Sequence, residues 1–579
     1  MLENQNGDRA DWIKAYRPFF FENLSGITSV GANKVLLCDR NRGILTEVDL
    51  LSEIETFKKK YNVNDFAGVD SICYLDNFLY FVYKNQIYKV EYYSQKDKIE
   101  PDLITQIFDY SSFTGIAVDE NKIIYLITEE NNILVYNLDT QGIENIGTSP
   151  GISAVDDLCY WQGNLFIVDS KEQTVYVFNL EKREIIDEIL TPFENPTGIT
   201  VVYNEKVGRE ILYVAYSRPS FEVYDTGDSE FKLKIDTAVR DNFIYPLIYQ
   251  SDRDRKAVRS NGFLVEMSYV RKLHALPEIA REYRKIINLD WKISIPMDSD
   301  RQKLLSLQPI GNLPMRIEEI TQEENRKVAV FPIDEIDLAT ERRVFGWKAL
   351  IEVQSLKYLI KEKEVRDISK EELERYSKYL QNEAQLDMES PYVIKAAKRA
   401  IKNVPEEQQN NVLVKAKAIR DYIYRKVTYV MDAYNDGTEA VLKSGQGSCG
   451  EYLNVFLSLF RLNNIPARKC GNYKIPAYKM QPGAKSVYLS PDFNHVWLQF
   501  YVPDLGWVPL ESSADDEAAS FREWAKRYFM ALSWYHVECR MGDYFEDVFE
   551  RRNEQPFFLS PNDLSINDIK FKVISELDI

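Results

Sequence analysis

The sequence predicts a multidomain chain: an all-β propeller, then a β-rich segment, then an α+β core. Three observations carry this reading. The chain has 579 residues, enough for about three or four domains of ordinary size. A short β pattern recurs between residues 20 and 226. In the last third, a glycine-rich turn ends in a cysteine and runs into an apolar periodic stretch, followed by two apolar strands. With 45% apolar and 13% aromatic residues the chain can fill packed cores, which excludes a disordered polymer.

The propeller is expected over residues 1–270. Copies of the pattern start at Gly26-Ile27, Ser71-Ile72, Gly115-Ile116, Asp157-Leu158 and Gly198-Ile199, so the offsets are 45, 44, 42 and 41 residues. Such a period suits four-stranded blades. The second copy reads SICYL, FLYFVYK and IYKVEYY, and the third GIAV, IIYLIT and ILVYNL, rich in β-branched and aromatic residues. Five blades are visible, and residues 1–25 with 227–270 are left to supply a sixth blade or a closing strand. Period and strand pattern resemble those of NHL-like and lactonase-like propellers. No histidine precedes residue 274, so a metal here would need acids such as Asp70, Asp119, Asp156 or Asp157, residues that also cap turns. The propeller is read as a docking module with no metal.

Residues 276–360 are expected to form an antiparallel sheet or small sandwich. Leu289, Trp291, Ile293 and Ile295 alternate with Asp290, Lys292 and Ser294, and strand-like runs follow at Lys327 to Ile333 and Arg343 to Val353. Residues 361–579 should hold the last domain. Ser369 and Glu372 have capping-box spacing, and Val414, Ala418, Ile419 and Ile423 outline a helical apolar stripe.

Charge and composition narrow the partners. The 72 Lys and Arg against 90 Asp and Glu leave a formal charge of −18, so nucleic acid is not expected. No run of 18 apolar residues suggests a membrane span, and the start lacks the pattern of a signal peptide, so a cytoplasmic location is expected. Six cysteines without CxxC spacing indicate free thiols. The only histidines are His274, His495 and His536.

The chemistry gathers in residues 440–520. In SGQGSCGEYLNVFLSLF, Cys449 should stand at the N-terminus of a helix buried through Leu453, Phe456, Leu457 and Phe460, where unpaired N–H groups favour a thiolate. The segment NHVWLQFYVPDLGWVPLESS reads as a hairpin that sets His495 beside Glu511. Glu511 would then hold one imidazole nitrogen and leave the other to Cys449. The Cys449 N–H is the natural oxyanion donor, with Gln446 either a second donor or a turn residue. Trp497 and Trp507 are candidates for the core or for the walls of a substrate channel. Cys470 and Cys539 read as core thiols and His536 as a strand residue.

These motifs, GSCGEY with RLNNIPARKCGNY and HVWLQFY with GWVPLESS, resemble the transglutaminase-like superfamily over roughly residues 390–515. The resemblance implies a papain-like α+β core with Cys449 as nucleophile, His495 as general base and acid, and Glu511 as orienting carboxylate. The family usually has Asp at this last position, which leaves Asp515 and Asp516 as alternatives. It implies no cofactor and a thiol-dependent acyl transfer: a peptidase or amidase on a protein or peptide substrate, a crosslinking transglutaminase, or an inactive scaffold that binds partners.

Overall fold

Residues 12–57, 66–92, 100–151, 155–219, 222–224, 234–236, 240–321, 326–431, 433, 435–474, 487–489, 495–516, 524–541, 545–552 and 555–578 are described by a computed structural model. Four antiparallel sheets, each of four strands paired in chain order, run from Leu24–Gly31 to Ile54–Phe57, from Ile72–Leu75 to Asp102–Gln106, from Phe113–Val118 to Ile143–Thr148, and from Asp157–Trp161 to Glu184–Leu190. A fifth contains Pro196–Asn204, Arg209–Pro219 and Arg240–Leu247. The first strand of each sheet packs on the first strand of the next, and that of the fifth returns to Leu24–Gly31.

Those first strands have no backbone partner on their inner side, so polar side chains bridge them. Ser71 Oγ accepts from Ile116 N (3.0 Å) and is hydrogen-bonded to Asp157, whose other oxygen accepts from Ile199 N (3.2 Å). The recurring glycine has a steric cause: a Cβ on Gly115 would come within 3.0 Å of Leu158 N. The acids considered as metal ligands have other partners. Asp70 pairs with Arg40 (2.6 Å), Asp119 closes the turn at Asn121 and Ile123, and Asp156 accepts from Ser170 N.

Of the residues left over for a sixth blade, 1–11, 227–233 and 237–239 lie outside the described residues, Lys234–Asp236 pairs with Glu222–Tyr224, and the other strands join neighbouring sheets. Arg240–Leu247 is a strand of the fifth sheet, and Tyr16 exchanges two backbone hydrogen bonds with Ile244 (3.0 and 2.9 Å), so the chain start joins that same sheet. The strand Ala257–Leu273 already belongs to the next layer.

That layer is a pair of sheets built from both sides of the 276–360 segment. One has the order Gln302–Gly311, Val344–Tyr358, Ala257–Leu273, Ser565–Leu577 and Val487–Leu489. The other has Arg316–Thr321, Arg326–Asp337, Lys285–Ser294, Glu546–Glu550 and Gln555–Pro556. Leu289, Trp291, Ile293 and Ile295 are buried as the alternation predicts, with the Trp291 ring 5.3 Å from Phe345 on the facing sheet, but Asp290 and Ser294 on the other face are buried as well, where Asp290 pairs with Arg316 and Arg551. The C-terminal strands thus complete the sandwich.

Between these strands lies the α+β core. Helices Pro391–Ala400, Val412–Tyr424 and Thr438–Ser444 pack on helix Cys449–Leu462, which lies against a sheet ordered Gly506–Leu510, His495–Val502, Ala467–Lys474, His536–Met541. The predicted capping box at Ser369 and Glu372 starts helix Lys370–Arg375. Helix Val412–Tyr424 is rotated from the expected stripe: it buries Leu413, Ala416, Ile419 and Ile423 while Val414 and Ala418 are half-buried. The cause is Arg420, fully buried on the inner face and paired with Asp515 (3.3 Å). Among the described residues no helix is long and apolar enough to cross a membrane.

The N-terminal sheets are fused to the rest by a shared interior. One continuous apolar cluster contains Phe166 and Tyr245 from the fourth and fifth sheets, Phe193 from the connection between them, Trp291 and Trp347 from the sandwich, and Trp534 and Val537 from the core. Polar contacts reinforce it: Lys526 N donates to Glu172 (2.7 Å), Tyr528 OH to Gln173 (2.9 Å) and Trp534 Nε1 to Pro192 O (3.0 Å).

Candidate active site

Cys449 is the first residue of helix Cys449–Leu462 because Ser448 stops the preceding turn and Glu451 folds back onto the Ser448 N–H (3.0 Å). As the first helical residue, Cys449 has no carbonyl one turn back for its own N–H, so that donor is free to bind a developing oxyanion. The residue as a whole is half-buried. Burial acts to raise the thiol pKa, but the hydrogen bond and charge of His495, with a further bond from the Val496 backbone, outweigh it and bring it below the ordinary value.

His495 opens the strand His495–Val502 and faces this helix end. The hairpin registers Leu498 with Leu510, which carries Glu511 back alongside His495. His495 Nε2 is 2.8 Å from Glu511 Oε1, so Nδ1 is the ring nitrogen left for Cys449. Burial alone would lower the imidazole pKa; the Glu511 carboxylate and the Cys449 sulfur reverse this and push it up to about 9. An imidazolium paired with a thiolate is the state these shifts favour.

Glu511 is 1% exposed. Its longer side chain is accommodated by two backbone donors of the following turn, Ser513 N to Oε1 (3.2 Å) and Ala514 N to Oε2 (2.5 Å). Burial acts to raise its pKa, but the charges of Lys474 and His495 hold it well below the usual carboxylate range. The two alternatives for this role are engaged elsewhere. Asp515 is paired with Arg420 and Arg527, and Asp516 accepts from Tyr452 OH (2.5 Å).

The other predicted residues stand at different distances from this array, Trp497 with its ring 6.2 Å from that of His495. Gln446 is exposed on a two-residue parallel strand, and its backbone carbonyl accepts from Asn435 (2.9 Å). Trp497 is fully buried in a cluster with Met297, Cys470 and Leu532, so it fills the core and lines no channel. Trp507 pairs with Tyr501, six residues along the strand from His495, which is about 20 Å at ordinary strand rise. There it stacks with Arg468 (4.2 Å) and packs on Tyr376 and Tyr379, too far away to wall the site.

Three neighbours of the site were not predicted. His536 is fully buried, with Nδ1 held by Ser533 Oγ (2.9 Å), its ring 6.4 Å from that of His495, and its Nε2 without a hydrogen-bond partner among the described residues. Burial and the nearby Lys474 charge keep it neutral. Lys474 Nζ lies 3.9 Å from Glu511 Oε2, and Tyr528 lies beneath it (5.3 Å). Only the sheet order brings them here, because Lys474 pairs across strands with His536. No spacing in the sequence marks either residue.

Residues 399–512 match the family model of the transglutaminase-like superfamily, a span that contains all three members of the array. No curated protein matches the sequence. Among solved structures the chain is similar to a proposed cysteine protease from Cytophaga hutchinsonii, at 14% identity and a TM-score of 0.36, over 55% of this chain and 100% of that one. It is also similar to a streptogramin B lyase (15% identity, TM-score 0.24, 35% of this chain and 65% of that one). A third is the calcium-binding protein regucalcin from Agrobacterium tumefaciens (12% identity, TM-score 0.27, 39% and 90%). All three overlays are loose, and the family match covers the segment that carries the cysteine, the histidine and the carboxylate: residues 399–512 form a transglutaminase-like domain.

Proposed function

We propose that this chain is a thiol-dependent acyl-transfer enzyme, a cysteine peptidase or amidase acting on a protein or peptide. The observation that carries the reading is the unbroken array from a cysteine at the first position of a helix through His495 to a buried, ionised Glu511. The Cys449 thiolate attacks the carbonyl carbon and forms the C–S bond, with the oxygen held by the Cys449 N–H. The C–N bond breaks as the leaving amine takes the proton of the His495 imidazolium, which leaves a neutral imidazole. That imidazole then draws a proton from water as water attacks the thioester; the C–S bond breaks, which restores the Cys449 thiolate and the His495 imidazolium and releases the acid product. A lysine amine in place of water would give transamidation from the same thioester.

The five sheets are best read as a five-bladed propeller closed by the chain start, with the cyclic contacts of their first strands in support. We assign it the docking of substrate or partner. We also propose a cytoplasmic location: six cysteines without CxxC spacing in so long a chain do not suggest a disulfide scaffold.

The test is the alkylation rate of Cys449 against pH, followed by peptide mass spectrometry in wild type and His495→Ala. The reading expects wild-type Cys449 to react well below the model thiol pKa of about 8.5, and the variant to lose that advantage. Equal, ordinary profiles in both proteins would overturn it.

A further inference from the structure

Glu511 is an ionised carboxylate at 1% exposure, and an isolated charge at such depth is strongly disfavoured. While His495 is an imidazolium the two charges offset each other. In the acyl transfer proposed above, however, His495 gives its proton to the leaving amine, and for that part of the cycle the neutral imidazole no longer balances Glu511.

A second cation stands on the far side of the carboxylate. Lys474 Nζ is 3.9 Å from Oε2, the oxygen not bonded to His495. The Lys474 side chain is only 16% exposed, and its ammonium lies 5.3 Å over the Tyr528 ring. Tyr528 is itself fully buried and anchored at its hydroxyl by Tyr535 and by Gln173 of the fourth N-terminal sheet (2.9 Å). Among the described residues the remaining titratable groups facing Glu511 are neutral His536, the Cys449 thiol and the Tyr424 phenol, and Lys474 is the one lysine or arginine within ion-pair distance of the carboxylate.

Resting on the acyl-transfer reading, we propose that Lys474 is a positioning residue: it remains as counter-cation to Glu511 after His495 has given up its proton, and Gln173 fixes it there through Tyr528. Without Lys474 the neutral-imidazole state would contain a buried carboxylate that keeps its hydrogen bonds from Ser513 N and Ala514 N but has no counter-cation. His495 would then hold its proton more tightly and release it less readily to the leaving amine.

The test uses the full chain labelled with [13Cε1]histidine. The protein has three histidines, so His495 is identified by the signal lost in His495→Ala. Removing a nearby cation should raise the His495 deprotonation midpoint in Lys474→Met by about one pH unit, a tenfold change in proton affinity. Lys474→Arg, which keeps the charge, should stay close to wild type, and Tyr528→Phe should move the midpoint in the same direction as Lys474→Met but less. An unchanged midpoint in folded Lys474→Met overturns the proposal, and so does a shift in Lys474→Arg as large as that in Lys474→Met. If Lys474→Met does not fold, Lys474→Gln makes the same comparison. An ordinary alkylation profile of wild-type Cys449 would remove the acyl-transfer reading while the His495 midpoints still report on Lys474.

Discussion

His495 Nε2 and Glu511 Oε1 meet at 2.8 Å in a pocket closed to solvent on the carboxylate side, where Glu511 is 1% exposed. This contact fixes which imidazole nitrogen faces Cys449, and it raises the proton affinity of that ring. The carboxylate is in turn fixed by Ser513 N and Ala514 N, so the ring orientation traces back to one turn after the hairpin.

Replacing Glu511 by Gln keeps the size and a hydrogen-bond acceptor but removes the charge that lifts the His495 pKa to about 9. The His495 midpoint should fall by at least one unit, and Cys449 alkylation at pH 7 should slow by about tenfold or more. Glu511→Asp keeps the charge but shortens the reach by one methylene, so it should lose less than Glu511→Gln. Equal alkylation in all three proteins would show that Glu511 does not act on the thiol through His495.

The same shifts predict how the array contributes to stability. The folded pKa of His495 lies above its unfolded value of about 6.5, so its contribution is fully present below about pH 6.5 and is lost as pH rises through about 9. Glu511 has the opposite sign: its folded pKa is depressed, so its contribution is present above about pH 4.3 and is lost as pH falls through the depressed value. The melting-temperature difference between wild type and His495→Ala should therefore be widest near pH 5–6.5 and narrow towards pH 10. A difference independent of pH would contradict the ion pair.

How far the sequence foretold this site depends on chain separation. Cys449, His495 and Glu511 were legible because a helix start and one hairpin bring them together, and both have local signals: small residues before Cys449, and a Pro-Asp-Leu-Gly turn between the strands. The strand repeat was legible for the same reason, since each of the first four sheets is complete within about 36 residues. Lys474 and His536 were not, because their placement depends on the strand order in which Ala467–Lys474 lies between His495–Val502 and His536–Met541. The sandwich boundary was misplaced for a related reason: Ser565–Leu577 pairs with Ala257–Leu273 across some three hundred residues, and periodicity identifies a strand but not its partner.

Asp515 separates a structural carboxylate from one that acts on His495. It is 1% exposed and bonded to Arg420, Arg527 and Tyr528 N. Asp515→Asn leaves the buried Arg420 without its acidic partner in the core, which should destabilise the fold by about 3–5 kcal/mol. The Cys449 alkylation profile of the folded fraction should stay as in wild type. Denaturant unfolding and alkylation, measured on the same preparation, test both halves, and a shifted alkylation profile would place Asp515 in the array.

The last prediction concerns whether the N-terminal sheets unfold on their own. Trp534 lies between the two halves, stacked on Phe263 of the sandwich at 3.9 Å and donating to Pro192 O, next to Phe193 of the fourth-to-fifth sheet connection. It is 1% exposed, so Trp534→Ala should cost about 3–5 kcal/mol. Because Phe166, Trp291 and Trp534 share one apolar interior, that cost should lower a single cooperative transition in scanning calorimetry. Two wild-type transitions, only one of which moves in the variant, would mean that the N-terminal sheets form an independent module. A single transition that moves as a whole would instead mean that removing residues 1–240 exposes the Trp534 face and destabilises the active-site sheet along with the docking surface.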